Sequence, residues 1–257
     1  MAQPDFSLVG RRALITGASG GLGLHFAEVL AAAGATVVLT ARRSAQLESA
    51  VATLTAQGYR AYAVTMDVAD EASVVAAFAA AESWLGDTVD LLINNAGIST
   101  SGKAHEISPQ DWDLVVDTNL KGPWLVSRTF AQRLMATQQT GTVVHIGSIL
   151  GARVAQAVPA YCASKAGLHH LTQVQALEWS RAGIRVNALS PGYIETDMNR
   201  EFFASEAGQR LVKRMTARRL GQAEELDGAL LLLASDAGRF INGTVLTVDG
   251  GHLVSSL

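Results

Sequence analysis

The chain has 257 residues, a formal net charge of −3 and one cysteine, Cys162; 49% of its residues are apolar. That length and apolar content support one large buried core, and the scattered basic residues exclude the stripe of a nucleic-acid binder. An acid and a proline in "MAQPDFSLVGRR" stand where a signal peptide has its apolar run, no apolar run approaches a membrane span, and one thiol forms no intrachain disulfide, so a reducing cytoplasm is the expected location.

Short β-branched runs alternate with longer Ala/Leu-rich segments. In chain order, strands are expected at "RALIT" from Arg12, "TVVLT" from Thr36, "RAYAV" from Arg60, "VDLLI" from Val89, "GTVVHI" from Gly141, "GIRVNAL" from Gly183 and "TVLTV" from Thr244. Between them come helical spacings such as "LGLHFAEVLAAAG" from Leu22 and "EASVVAAFAAAESWLG" from Glu71. Strands that are apolar throughout are buried on both faces. Their alternation with helices predicts an α/β fold, a doubly wound (Rossmann) parallel sheet of about seven strands with helices on both faces. One domain over residues 1–257 is expected, without linker or repeat. Only 193–220 breaks the rhythm, being richer in charge and poorer in β-branched residues, and it reads as a helical substrate lid.

The first strand runs into "TGASGGLG", Thr16 to Gly23. Glycines there permit positive φ and a close backbone approach, and the helix opening near Gly21 aims free N–H groups over the loop. That is an anion site suited to a pyrophosphate. The second strand ends "VVLTARR", where a carboxylate would accept from ribose hydroxyls; instead Ala41 is followed by Arg42 and Arg43, which suit a 2′-phosphate and favour NADP over NAD. Asp67 in "TMDV" is either an acceptor for an adenine amino group or a helix cap. Asn94 to Gly97, "NNAG", either lets the backbone run close to a cofactor or ties neighbouring strands.

Tyr161 and Lys165 in "AYCASKAG" stand at i, i+4 on one helix face. A nearby ammonium favours a phenolate and lowers the tyrosine pKa, giving a pair that moves a proton to or from an alcohol oxygen. Ser148 follows the fifth strand and can donate to a carbonyl. Asn119 in "DTNLKG" can anchor a water or hold a helix kink. After the sixth strand, "SPGYIETDM" turns at Pro191 and Gly192, and Thr196 is within reach of a cofactor.

"TGASGGLG", "NNAG", Asn119, Ser148, "YCASK", "PGYIET" and the C-terminal "VDGG" from Val248 resemble, in order and spacing, the short-chain dehydrogenase/reductase family over essentially the whole chain. The resemblance implies a catalytic tetrad of Asn119, Ser148, Tyr161 and Lys165. It implies a nicotinamide dinucleotide, NADP(H) by the arginines after the second strand with NAD(H) as the alternative, held by Gly17, Ser19, Gly21, Leu22 and Gly23 in the loop. Arg42, Asp67, Val68, Asn95, Ala96 and Gly97 would extend that site, joined by Tyr161, Lys165, Pro191, Gly192, Ile194 and Thr196. In it Ser148 orients a carbonyl, Tyr161 passes a proton, Lys165 tunes the tyrosine and holds the nicotinamide ribose, and Asn119 fixes a water. A homotetramer or homodimer is implied. NADP-preferring members often carry a basic residue just before the second glycine; here it is Gly20, which leaves the 2′-phosphate to Arg42 with Ser19 or Arg43.

The substrate is expected to be a small carbonyl or alcohol. The apolar Tyr193, Met198, Phe202 and Phe203, with "GARVAQAVPA" before the tyrosine, favour a hydrophobic or acyl ketone, as in 3-oxoacyl-(acyl-carrier-protein) reductases; the alternative is a sugar acid or polyol. From other classes come a dinucleotide sensor without turnover, opposed by the intact tetrad, and a methyltransferase-like binder, which leaves Ser148, Tyr161 and Lys165 unexplained. His169 and His170, adjacent on a helix, point to different faces and are not read as a metal site. Cys162 reads as a packing residue. The run "KRMTARR" from Lys213 to Arg219 reads as a solvated face, or as a contact for an acidic carrier or CoA.

Overall fold

Each of the seven apolar runs forms a strand in the computed structural model, which describes residues 4–254 and, for 197–199, the backbone alone. In chain order the elements are β1 (Arg12–Thr16), α1 (Gly21–Ala32), β2 (Thr36–Ala41), α2 (Ser44–Ala56), β3 (Ala61–Thr65) and α3 (Glu71–Leu85). Next come β4 (Leu91–Asn94), α4 (Pro109–Val116), α5 (Gly122–Thr137), β5 (Gly141–Ile146) and α6 (Pro159–Trp179). The chain finishes with β6 (Ile184–Pro191), α7 (Asp197–Ala204), α8 (Glu206–Arg214), α9 (Asp227–Ala234) and β7 (Val245–Val248). Among the described residues no helix is long and apolar enough to cross a membrane. The side chain of Met198 lies outside the described residues.

Among the described residues the strands form one parallel sheet in the order β3-β2-β1-β4-β5-β6-β7. The order reverses between β1 and β4, the switch point where a crevice opens at the carboxyl ends of the strands. Successive residues feed opposite faces. Ile15, Leu39 and Ile93 pack beneath α1 and α9 with Phe26, Leu30 and Leu230, while Leu14, Val38 and Leu92 meet Phe78, Val126 and Phe130 of α3 and α5. Burial on both faces explains why the runs carry no polar alternation.

Local chemistry sets the helix ends. Asp70 caps α3 by accepting from Ala72 N at 3.0 Å, and Gly86 ends it in the left-handed region at φ 74°. Ser108 caps α4 by accepting from Asp111 N at 3.0 Å, with Pro109 in the first turn, where a missing N–H is harmless. β4 begins at Leu91, later than the run from Val89, although the Asp90 backbone already bonds to both sides, its N–H donating to Arg12 O at 3.1 Å and its carbonyl accepting from Thr142 N at 2.9 Å; its side chain is engaged by Arg11 at 2.9 Å and Arg12 at 2.8 Å. Arg12 also reaches Asp87 at 2.6 Å, so ion pairs knit the edge of the sheet opposite the crevice.

Within 193–220 the chain forms α7 and α8. It leaves and returns at a single bridge between Ile194 and Gly221, with Gly221 N donating to Tyr193 O at 2.9 Å and Glu195 N to Gly221 O at 2.9 Å.

Candidate active site

The glycine loop lies between β1 and α1. Gly17 has φ 66°, and a Cβ there would stand 2.8 Å from Ala96 Cα. A Cβ on Gly23 would collide with the Gly17 carbonyl and with Asn95 Nδ2. These two glycines let the loop lie against the end of β4. Gly20 and Gly21 face the other way, with nothing within 4 Å of a Cβ at either position. Gly20 precedes α1 and offers no side-chain cap, so the first N–H groups of the helix open onto that space. A cradle of bare amides at a helix N-terminus suits a dinucleotide pyrophosphate.

The two asparagines at the carboxyl end of β4, its last residue Asn94 and the following Asn95, tie strands together, one of the two roles read for them. Asn95 Nδ2 donates to Thr16 O at 3.0 Å and Gly17 O at 3.3 Å, while Thr16 Oγ1 accepts from Asn95 N and Ala96 N, each at 2.9 Å. Asn94 Nδ2 reaches Pro123 O at 3.3 Å and His145 Nδ1 at 3.2 Å. His145 Nε2 meets Gln175 Oε1 at 2.9 Å, and Gln175 Nε2 donates to Ser127 Oγ at 2.7 Å. Nε2 is therefore the protonated ring nitrogen, and burial pushes the His145 pKa down to about 4.

After β2, Arg43 rather than Arg42 makes the bond to the glycine loop: Arg43 Nη2 donates to Ser19 Oγ at 2.9 Å, and Arg42 is exposed beside it. After β3, Asp67 accepts from Ala69 N at 3.0 Å in a local turn, and the helix-capping carboxylate is Asp70. Val68 is buried, against Gly122. Leu22 is half-buried on α1, Pro191 and Ile194 are buried, and Gly192 and Thr196 are half-buried along the segment after β6. All these positions follow carboxyl ends of strands or the glycine loop and so border one crevice.

Asn119 sits in a π-helical turn, Asp117–Lys121, between α4 and α5. Its side chain closes a two-point bond to one residue: Ile98 N donates to Oδ1 and Nδ2 donates to Ile98 O, both at 2.8 Å. Pro123, four residues on, has no N–H, so the donor that an α-helix would offer the Asn119 carbonyl is missing. The chain at Asn119 thus departs from a regular α-helix for two local reasons, the widened turn and the proline.

Ser148 leaves β5 extended and accepts from Leu150 N at 3.1 Å at the head of a 3₁₀ turn, Ile149–Gly151. That turn rests on His169, because a Cβ on Gly147 would stand 2.5 Å from His169 Nε2 and one on Gly151 2.6 Å from Nδ1. On α6, Tyr161 and Lys165 share a face. Lys165 Nζ donates to Ile146 O at 2.8 Å and stands 5.7 Å from the centre of the Tyr161 ring. A Cβ on Gly97 would lie 3.4 Å from Asn119 Oδ1 and 3.7 Å from Lys165 Nζ. Serine, tyrosine, lysine and asparagine therefore occupy one corner.

The electrostatics differ from the sequence argument in one respect. Lysine was expected to lower the tyrosine pKa, yet burial dominates and pushes Tyr161 up, with a hydrogen bond from Ser148 pulling the other way. Lys165 is buried itself, and its ammonium is pushed down to about 8.

The apolar wall expected from Tyr193, Phe202 and Phe203 is largely self-contained. Tyr193 packs edge-on against Phe203 at 5.5 Å, and Phe202 against Phe203 at 5.0 Å. The basic run is solvated, as read: Lys213, Arg214, Arg218 and Arg219 are exposed, and Arg219 holds both carboxylate oxygens of Glu225 at 2.7 Å. Sequence reasoning missed Arg153, the lone charge in "GARVAQAVPA", whose Nη1 donates to the carbonyl of His252. Its isolation among apolar residues, shortly after Ser148, was the available signal.

The chain belongs to the short-chain dehydrogenase/reductase family and is an oxidoreductase of that type; a family model described as enoyl-(acyl carrier protein) reductase matches residues 17–252. Among individual proteins it is 42% identical over 257 residues to gluconate 5-dehydrogenase of Gluconobacter oxydans, covering 99% of this chain and 100% of that one. It is 40% identical over 256 residues to galactitol 2-dehydrogenase of Rhizobium johnstonii, covering 97% of each. A solved gluconate 5-dehydrogenase of Burkholderia cenocepacia, in complex with NADP and tartrate, superposes with a TM-score of 0.93 at 37% identity over 99% of both chains.

Proposed function

We propose that this chain is an NADP(H)-dependent oxidoreductase that interconverts a ketone and a secondary alcohol on a polyhydroxylated substrate, a sugar acid or a polyol. One observation carries the reading: Ser148, Tyr161 and Lys165 converge beside a bare glycine cradle in a chain 42% identical, end to end, to a gluconate 5-dehydrogenase. The acyl or hydrophobic ketone favoured from sequence is the weaker reading. The aromatic side chains that suggested it pack on one another, and the relatives are named for gluconate and galactitol.

In the reductive direction Ser148 Oγ donates to the carbonyl oxygen and holds it. Tyr161, kept protonated at neutral pH by its burial, gives its proton to that oxygen. Lys165, still charged at neutral pH, stabilises the phenolate that remains. Asn119 fixes Ile98 beside Lys165, and its carbonyl, lacking a donor at Pro123, suits a water in the proton path. Bound NADP(H) supplies the hydride. The amides from Gly20 to Gly23 would hold its pyrophosphate, and Ser19, Arg42 and Arg43 its 2′-phosphate; NAD(H) is the alternative cofactor. The 193–220 excursion serves as the substrate lid. Exposed Trp112, Trp124, Leu177 and Phe240 supply apolar surface for a homotetramer or homodimer.

The test is reduced-nicotinamide absorbance with D-gluconate, galactitol and a 3-oxoacyl thioester as substrates. Turnover of the sugar acid or polyol is expected, and exclusive turnover of the thioester overturns the substrate reading. Tyr161→Phe should lower kcat by roughly 10²–10⁴-fold with cofactor binding retained; an unchanged rate removes Tyr161 from the chemistry.

A further inference from the structure

The geometry points to His169 as a positioning residue for the proposed reaction: its imidazole is a wedge that sets where the Ser148 hydroxyl stands against Tyr161. The inference rests on the reading above, in which Ser148 holds the carbonyl and Tyr161 passes the proton.

His169 belongs to the helix that carries the proton donor. Tyr161, Lys165 and His169 recur every four residues along α6 and so share one side of it. His170 beside it is exposed, whereas His169 is half-buried against the chain leaving β5. Its ring lies between the two glycines that flank the serine turn. A Cβ on Gly147 would stand 2.5 Å from His169 Nε2 and 3.0 Å from Cδ2, and a Cβ on Gly151 would stand 2.5 Å from Cε1 and 2.6 Å from Nδ1. The imidazole therefore takes up the side-chain space of both residues. Gly147 N donates to Leu189 O at 2.7 Å and ties one end to β6, while Gly151 N donates to Ser148 O at 2.9 Å and closes the 3₁₀ turn. Between them Ser148 Oγ accepts from Leu150 N at 3.1 Å, so the direction of the hydroxyl follows the conformation of the turn.

The ring acts through its volume. His169 Nε2 is buried and has no hydrogen-bond partner among the described residues. Burial, with the Lys165 ammonium nearby, pushes the pKa below the ordinary imidazole value, so the ring is uncharged at neutral pH. Close-packed surroundings transmit the loss of such a group to whatever rests on it, and a small displacement of a reacting group is costly in rate. The two glycines differ in one way. At Gly147 the next atom beyond the imidazole is Leu189 O at 3.5 Å, an ordinary contact, whereas at Gly151 the Lys165 carbonyl stands 2.8 Å from a Cβ whatever occupies position 169.

That difference supplies the test, in steady-state kinetics with NADP⁺ and whichever of D-gluconate and galactitol the wild type oxidises. His169→Ala should lower kcat about tenfold with the KM for NADP⁺ within about twofold, and His170→Ala should change neither. Gly147→Ala should also lower kcat, and the double variant Gly147→Ala/His169→Ala should exceed both single variants, because the added methyl enters the vacated space. Adding His169→Ala to Gly151→Ala should recover nothing. A ring that only stabilises the fold would lower the melting temperature and leave kcat of the folded enzyme alone. An unchanged kcat in His169→Ala, or a double variant no faster than Gly147→Ala, overturns the inference. Crystal structures of the wild type and His169→Ala with NADP⁺ read the same claim without turnover: Ser148 Oγ should shift by about 1 Å relative to Tyr161, and superimposable hydroxyls overturn the wedge. Ser148→Ala separates the two readings. If it keeps the wild-type rate, or if neither substrate is oxidised by the wild type, the proposed reaction falls and the structures alone judge the wedge. If it abolishes turnover while His169→Ala is silent, only the wedge falls.

Discussion

At the scale of single residues, the proposed NADP(H) preference draws on the arginine that touches the glycine loop. Side chains after a strand diverge according to where the next helix begins, and α2 begins at Ser44, which directs Arg43 onto Ser19. Arg43→Ala is therefore expected to raise the KM for NADPH at least tenfold with a much smaller change for NADH, and Arg42→Ala to do less; matched changes for the two cofactors would remove the 2′-phosphate role. The need for arginine here was legible in the sequence, because no acid stands at the end of β2. Which of two adjacent arginines reaches Ser19 was not, since it depends on the phase of the following turn. The pairing of Arg153 was hidden for a related reason: His252, whose carbonyl it meets, is 99 positions away in sequence. The raised pKa of Tyr161 was equally hidden, because i, i+4 spacing brings a lysine near a phenol but does not say what covers them.

At the scale of elements, local pattern carried far. The strands were legible because apolar, β-branched runs bounded by glycine and polar turns have few other uses, and β1 and β5 begin and end where those runs do. The expected start of β4 ran early by two residues at a strand end where the backbone hydrogen bonds of Asp90 continue the ladder, so only the formal boundary moved. The 193–220 segment declared itself by breaking the rhythm, and α7 and α8 lie within it. If it acts as a lid, trypsin cleavage at Arg210, Lys213 or Arg214 should slow severalfold when NADP⁺ and gluconate are both present, compared with NADP⁺ alone. Identical cleavage rates would assign the segment a fixed structural role.

For the whole molecule, acid stability follows from the polar chain buried between β4, β5, α5 and α6. Folded His145 stays neutral down to about pH 4, while an unfolded imidazole takes up its proton near 6.5. Between those values the unfolded chain binds a proton that the folded chain does not, so stability falls as pH falls through this window, by about 3 kcal/mol at full extent. Lys165 has the same sign at the other end: from about 8 to 10.5 the unfolded chain keeps a proton the folded chain has lost, and stability rises with pH. Urea midpoints from pH 7 to 4 should decline for the wild type and flatten for His145→Gln; an undiminished slope in the variant would assign the acid sensitivity to other groups.

The pairing of Ile194 with Gly221 has an evolutionary corollary. The stretch between those two positions is bounded by that bridge and also rests on the C-terminal segment, where Thr216 Oγ1 donates to Gly251 O at 3.0 Å, so the segment and the chain end after β7 form one unit. An exchange of this stretch with a relative's would therefore have to carry the residues after β7 with it, and the two pieces are expected to change together rather than singly.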